Sequence, residues 1–274
     1  MIDLQGSTLD RTDVDDMRGV ILRLVCCAWL ALAPAAVAAK VSPGKSEGGV
    51  PRGSRQLILV TTRDWDAVGG TLRRFERKNS KAEWRQVGDA IPVVVGRSGL
   101  GWGAGLNTET GDGPSKKEGD GKSPAGVFSL GTAFGFAQAS EAAWLKLPYT
   151  PLDDATECVD DTNSRRYNLI VERGDAGDVD WKSSERMREV SGYRWGVVVE
   201  HNASPRVPGR GSCIFLHIWS GPSNGTAGCT AMEQSNLEAT LRWLDAKKNP
   251  VLVQLPEAVY ARLRSSWKLP APAR

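Results

Sequence analysis

The stretch Cys213-Ile214-Phe215-Leu216-His217-Ile218-Trp219, running into Ser220-Gly221-Pro222-Ser223-Asn224-Gly225-Thr226-Ala227-Gly228-Cys229, constrains this chain more than any other. Its first half is apolar and β-prone; its second is a Gly/Ser/Pro/Asn loop that closes on a cysteine. Side chains alternate across a strand, so Ile214, Leu216 and Ile218 share one face while Phe215, His217 and Trp219 share the other. The first set reads as core. The second places one of the chain's two histidines on an aromatic surface. A strand histidine facing a loop cysteine suits nucleophilic catalysis, with the imidazole taking the thiol proton and the thiolate attacking. Gly228 allows close backbone approach beside Cys229. The segment after the cysteine reads as a helix, whose N-terminus would lower the thiol pKa and offer N–H groups to an oxyanion.

The remaining pattern is mainly β. Gln56–Thr62 is a continuous apolar run of the buried-strand type. Thr71–Arg77 and Ala82–Val87 flank the polar turn Lys78-Asn79-Ser80-Lys81 and read as a hairpin. Ile91–Gly96 reads as a further strand, as do Val127–Leu130, Trp195–Asn202 and Val251–Leu255. Short strands separated by turns point to a sandwich or barrel. Ser183–Val190 reads as a short helix. Ser235-x-x-Glu238 has the form of a capping box opening a helix with Leu237, Leu241 and Leu244 on one face. Pro256 starts a last helix carrying Val259, Leu263 and Trp267. Gly121-Lys122-Ser123 is not a phosphate loop, because Lys116 stands where the first glycine is needed and a β-run follows.

At the amino terminus, a basic lead over 17–23 precedes the apolar run Leu24–Ala33 and the small-residue segment 34–38, the order of a secretory signal peptide cleaved after Ala38. The acidic residues before Met17 fit a leader poorly, which makes Met17 the alternative start. An uncleaved anchor or a lipid-attached Cys26 fits less well, since the run is short and Val25 is bulky for a lipoprotein signal. Residues 39–55 read as a linker and 56–274 as a single domain, exported to the periplasm or cell envelope. The charge, +3 at pH 7, is mild and scattered. Arg73, Arg74, Arg77, Lys78 and Lys81 read as a solvated strand and turn, not a nucleic-acid stripe. Without Cys26 and Cys27, three cysteines remain; in an oxidising compartment that odd number implies one bridge and one free thiol.

Three elements together resemble the L,D-transpeptidase (YkuD) family of cell-wall enzymes: Ser123-Pro124-Ala125-Gly126-Val127-Phe128, His217, and Thr226-Ala227-Gly228-Cys229. The resemblance spans roughly residues 56 to 255. It implies a mostly β sandwich or barrel with a few peripheral helices. By the same resemblance, Cys229 is the nucleophile, His217 its base, and the Ile218 carbonyl orients the ring. The N–H groups of Ala227, Gly228 and Cys229 would form the oxyanion hole. Peptidoglycan stem peptides are the implied substrates, with a wall-attached protein as a further partner and carbapenem-type β-lactams as inhibitors; no cofactor is implied. Two features depart from the family pattern. Ala227 stands where many members have a second histidine, and Thr230-Ala231-Met232 contains no arginine. His201 and Asn202 either replace part of that function or end a strand; with Trp219 they are the candidate substrate-binding side chains. With Cys229 required free, the expected disulfide is Cys158–Cys213. The rival readings are a non-catalytic wall-binding relative and a zinc site from Cys213, His217, Cys229 and His201. The second suffers from a strand separation of about 13 Å between positions 213 and 217.

Overall fold

The computed structural model describes residues 49–107 and 111–271; the leader expected over 1–38, and the linker up to residue 48, lie outside them. Thirteen strands are present among the described residues. They are β1 (Gln56–Thr62), β2 (Gly69–Glu76), β3 (Arg85–Val94), β4 (Leu100–Trp102), β5 (Ser123–Gly135), β6 (Tyr149–Pro151) and β7 (Thr156–Val159). These are followed by β8 (Ile170–Glu172), β9 (Ser184–Arg186), β10 (Trp195–Val199), β11 (Phe215–Ile218), β12 (Thr230–Met232) and β13 (Val251–Pro256). Two α-helices, α1 (Gln234–Trp243) and α2 (Glu257–Leu263), complete the set. None is long and apolar enough to cross a membrane.

The pairing order β10-β11-β12-β3-β2-β1-β13-β5 returns from β5 to β10, closing a barrel. Closure leaves the long apolar strands no free edge in the ring. β1 and β13 lie parallel at its centre and are buried at every position. This explains why both read as continuous apolar runs and not as alternating ones. Leu237, Leu241 and Leu244 of the α1 region are fully buried in the main core, as their spacing predicts.

A second, three-stranded sheet, β8-β7-β9, stands apart from the barrel strands in the pairing. It belongs to an insertion between β6 and β10 that forms a cap with its own small core: Phe134, Leu152, Cys158, Met187, Tyr193, Cys213, Phe215 and Cys229. Three edge-to-face ring pairs knit this core to the barrel: Phe134–Tyr193 at 5.6 Å, Phe134–Phe215 at 5.0 Å and Tyr193–Phe215 at 5.4 Å. Each such pair adds about 0.5–1.5 kcal/mol beyond its buried area. Cys158 on β7 is disulfide-bonded to Cys213, across 55 residues of sequence. Glu157, next to it, accepts from Arg173, Trp181 and Ser184 and so ties the cap's strands and turns together.

Several sequence expectations are corrected. Ala82–Val87 and Ile91–Gly96 are not two strands but largely one, β3, which runs through Gly88 at φ 68°. Ser183–Val190 is not an α-helix: Ser184–Arg186 is needed as the outer partner of β7, and only Met187–Glu189 turns as a 3-10 helix. α1 is capped by Glu233, whose carboxylate accepts from the Ser235 and Asn236 amides, and not by Ser235. Residues Gly49–Arg55 pack on the domain: Ser54 is buried, and its carbonyl accepts from Arg77 at 2.7 Å.

Candidate active site

The site is built where β11 and β12 lie side by side and parallel. Leu216 pairs with Thr230 and Ile218 with Met232, and this set points into the main core. The register sets Cys229 beside Phe215, whose N–H donates to Cys229 Sγ at 3.3 Å. Phe215, His217 and Cys229 therefore occupy the other face, under the cap. Tyr193 packs in the same cluster as Cys229: its ring lies edge-on to the His217 ring at 5.1 Å, and its hydroxyl donates to Glu185 Oε2 at 2.6 Å. The thiol also points at the Cys213 carbonyl, 3.4 Å away.

The loop before the cysteine is held at several points. Thr226 exchanges backbone bonds with Val95 and Arg97 at the end of β3. The Cys229 carbonyl accepts from two hydroxyls, Ser123 Oγ at 2.8 Å and Thr226 Oγ1 at 2.6 Å. Ser123 opens β5 and is wholly buried, so the Ser-Pro-x-Gly-x-Phe element fixes the backbone of Cys229. His217 Nδ1 lies 2.8 Å from the Ile218 carbonyl. In the neutral ring that bond keeps the proton on Nδ1 and leaves the Nε2 lone pair free.

Electrostatics depart from the sequence expectation. No helix begins at Cys229; β12 follows at once, and α1 starts only at Gln234. The thiolate therefore gains nothing from a helix N-terminus. Burial pushes the thiol up to about 12, aided by the Glu185 charge and only partly offset by the Phe215 N–H, Tyr193 and Lys116. Burial likewise pulls His217 down to about 4, against the pull of the Ile218 carbonyl. At rest both groups are neutral.

A family model for the L,D-transpeptidase catalytic domain (YkuD) matches residues 73–253. The chain belongs to the L,D-transpeptidase catalytic-domain family. No curated protein and no solved structure gives a match. The matched span runs from β2 into β13 and contains the Ser-Pro element, the cap, His217 and Cys229.

Within this L,D-transpeptidase domain the other expected site residues fare differently. His201 and Asn202 are 2% and 1% exposed and face inward. His201 Nε2 bonds the Arg210 carbonyl at 2.8 Å, with its ring against Phe128. Asn202, at φ 51°, bonds Val207 and Gly211. Both organise the 202–211 loop, and Asn202 also lines a cavity with Trp102, Lys116 and Arg210. Trp219 is half-buried, on the strand face of His217 just past the end of β11. The Gly228 amide, expected as an oxyanion donor, donates instead to Thr226 Oγ1 at 3.1 Å. With Cys213 bonded to Cys158, the four residues of the zinc reading are not gathered as ligands.

Sequence reasoning missed Tyr193, Glu185 and the buried ion pair Lys116–Asp120, which is 2.7 Å long. Tyr193 and Glu185 sit in the irregular insertion, where no periodicity marks them. Lys116 and Asp120 belong to the Gly-rich segment before Ser123, whose density of glycine and charge was the one available signal.

Proposed function

We propose that this domain is an exported cysteine acyltransferase acting on peptidoglycan stem peptides. Cys229 is the nucleophile and His217 its base. The observation that carries the reading is the placement of His217 and Cys229 on one face of adjacent strands, with the Ile218 carbonyl turning the ring so that Nε2 is free. In the first half-reaction the thiol proton leaves for the base and sulfur bonds to the carbonyl carbon of an L,D amide. The C–N bond then breaks, and the proton passes to the departing amine, leaving a thioester. An amine acceptor or water resolves it, giving transpeptidation or hydrolysis. The amides of Ala227 and Cys229 are the remaining backbone donors for the oxyanion.

Incubation with a disaccharide-tetrapeptide muropeptide, read by intact-mass spectrometry, tests this. A thioester adduct on the wild type, absent from Cys229→Ser, is expected; turnover by Cys229→Ser at the wild-type rate would place the chemistry elsewhere. His217→Ala should acylate roughly a hundredfold more slowly. One observation favours the rival, a wall-binding relative without turnover: the thiol residue is only 6% exposed. That reading requires muropeptide binding with no adduct at any pH.

A further inference from the structure

We propose that the open edge of β8 and the groove beside it form a docking site for an extended segment of a partner protein that carries a lysine. The site stands apart from the candidate active site, since neither His217 nor Cys229 lines the groove.

β8 ends the cap sheet, with β7 on one side and no described strand on the other. The register decides which of its backbone groups face outward. The Val159 N–H donates to the Leu169 carbonyl and the Arg173 N–H to the Ala155 carbonyl, with Val171 opposite Glu157 between them. Hydrogen-bonded and non-hydrogen-bonded pairs alternate along an antiparallel ladder. Leu169, Val171 and Arg173 therefore turn toward β7, and the N–H and C=O of Ile170 and Glu172 point to the open side. An added strand can bond both residues, which is the main-chain half of strand-addition recognition.

A groove of about 430 Å³ runs along that edge, between Asn168–Glu172 and Val198–Glu200. Phe134, Phe215 and the Cys158–Cys213 bridge form its buried floor, and Ile170 and Val198 stand half-buried beside them. Alternate side chains of an extended segment would cover this apolar ground. Charge selects the rest of the occupant. The carboxylates of Glu172 and Glu200 line the groove against one cation, Arg206 on the exposed 202–211 loop. Glu172 accepts from Thr156 Oγ1 at 2.8 Å. Glu200 is half-buried, and burial alone acts on its carboxyl and pushes its pKa up. No ion pair among the described residues offsets that burial. An ammonium group on a flexible stem would do so.

The test titrates the full chain with a blocked peptide of about seven residues, alternating valine and threonine around a central lysine. Its counterpart carries glutamate at the centre. In nitrogen–proton correlation spectra the Ile170 and Glu172 amides should shift and, at saturation, exchange at least about tenfold more slowly. The Val171 amide, already bonded to β7, should do neither. The lysine peptide should bind at least about threefold more tightly than the glutamate peptide, with the gap closing in about 1 M salt. Glu200→Gln should shrink the same gap. Glu172→Pro removes one outward N–H and no β7 bond, and the φ of −88° there is close to that of proline. It should bind at least about fivefold more weakly than Glu172→Gln, its charge-matched control. Should Glu172→Pro not fold, the wild-type spectra and the two peptides still decide. The proposal is overturned by any of four results. These are no binding of the lysine peptide at about 1 mM, equal affinity for both peptides, binding that leaves the Ile170 and Glu172 amides unmoved, and a dimer that Glu172→Pro dissociates. The last would make a second copy of this chain the occupant.

Discussion

Replacing both members of the Cys158–Cys213 bridge by serine tests how the cap is held over Cys229. The bridge closes a 55-residue segment. The chain-entropy relation gives about 4 kcal/mol for a loop of that length, the upper part of the usual range. For a domain of this size each kcal/mol moves the thermal midpoint by about 2–4 °C, so the double variant should melt about 8–16 °C lower. Replacing both residues avoids a stray thiol that could bridge to Cys229. The second readout is local. Cys213 supplies the carbonyl that faces the Cys229 thiol, and its amide is held by Asn168 Oδ1 at 3.0 Å. Loosening this segment should hydrate the thiol, lower its pKa from about 12 and speed iodoacetamide alkylation at pH 8. Differential scanning fluorimetry and a timed alkylation series suffice. A midpoint within 2 °C of wild type, with unchanged alkylation, would show that the cap is held by its aromatic core and hydrogen bonds alone, and that the loop argument is wrong here.

Gly192→Ala should damage the site at a cost in stability, since an added Cβ would lie 2.5 Å from the backbone oxygen of Ile218 and 3.1 Å from His217 Nδ1, and the backbone must move to admit it. Turnover should fall at least tenfold, the melting point should drop by more than about 3 °C, and the imidazole nitrogen spectrum should lose its Nδ1–H preference. Glu157 should govern the acid limb of stability. Burial alone would raise its pKa, but Arg173, Trp181 and Ser184 hold it down to about 2. Because the folded value lies below the ordinary 4.5, its contribution is complete above that pH and disappears as pH falls toward 2. Glu157→Gln should be less stable at pH 7 and should flatten the melting curve between pH 4.5 and 2, as thermal scans in that window will show. Wild-type Cys229, with its thiol up at about 12, should alkylate nearly tenfold faster per pH unit from 7 to 10; a plateau near pH 7 would mean a preformed thiolate.

The face split of the Phe215–Trp219 strand was legible because alternation is a local property: Leu216 joined the main core, whereas Phe215, read as surface, is buried in the cap core because residues distant in sequence cover it. The β2–β3 hairpin, β13 and the leucine face of α1 were legible for the same reason. What failed depended on partners distant in sequence. Thr230-Ala231-Met232 has no strong strand signal of its own; it is extended because it fills the slot between β11 and β3. The helix expected at the cysteine consequently begins later, and the electrostatic argument built on it reversed sign. Ser184–Arg186 likewise becomes a strand only because β7 offers an edge. Tyr193, in the cluster around Cys229, and Glu185, bonded to it, come from a segment whose own sequence carries no periodic pattern. A polar pair marked only by the burial it finds in three dimensions leaves no trace in spacing.

A thiol at about 12 and an imidazole at about 4 make an uncomfortable pair for a resting ion pair. Burial disfavours the charged form of each, so little thiolate–imidazolium pair forms before a carbonyl is seated. The proton therefore has to leave as the carbonyl is attacked, when the charge forming on sulfur is passed to an oxygen held by backbone N–H donors. Such a site keeps its thiol neutral and unreactive until a carbonyl is seated, and every group able to take the proton must already be in place. His217, held by its own neighbour's carbonyl, meets that requirement before any substrate arrives.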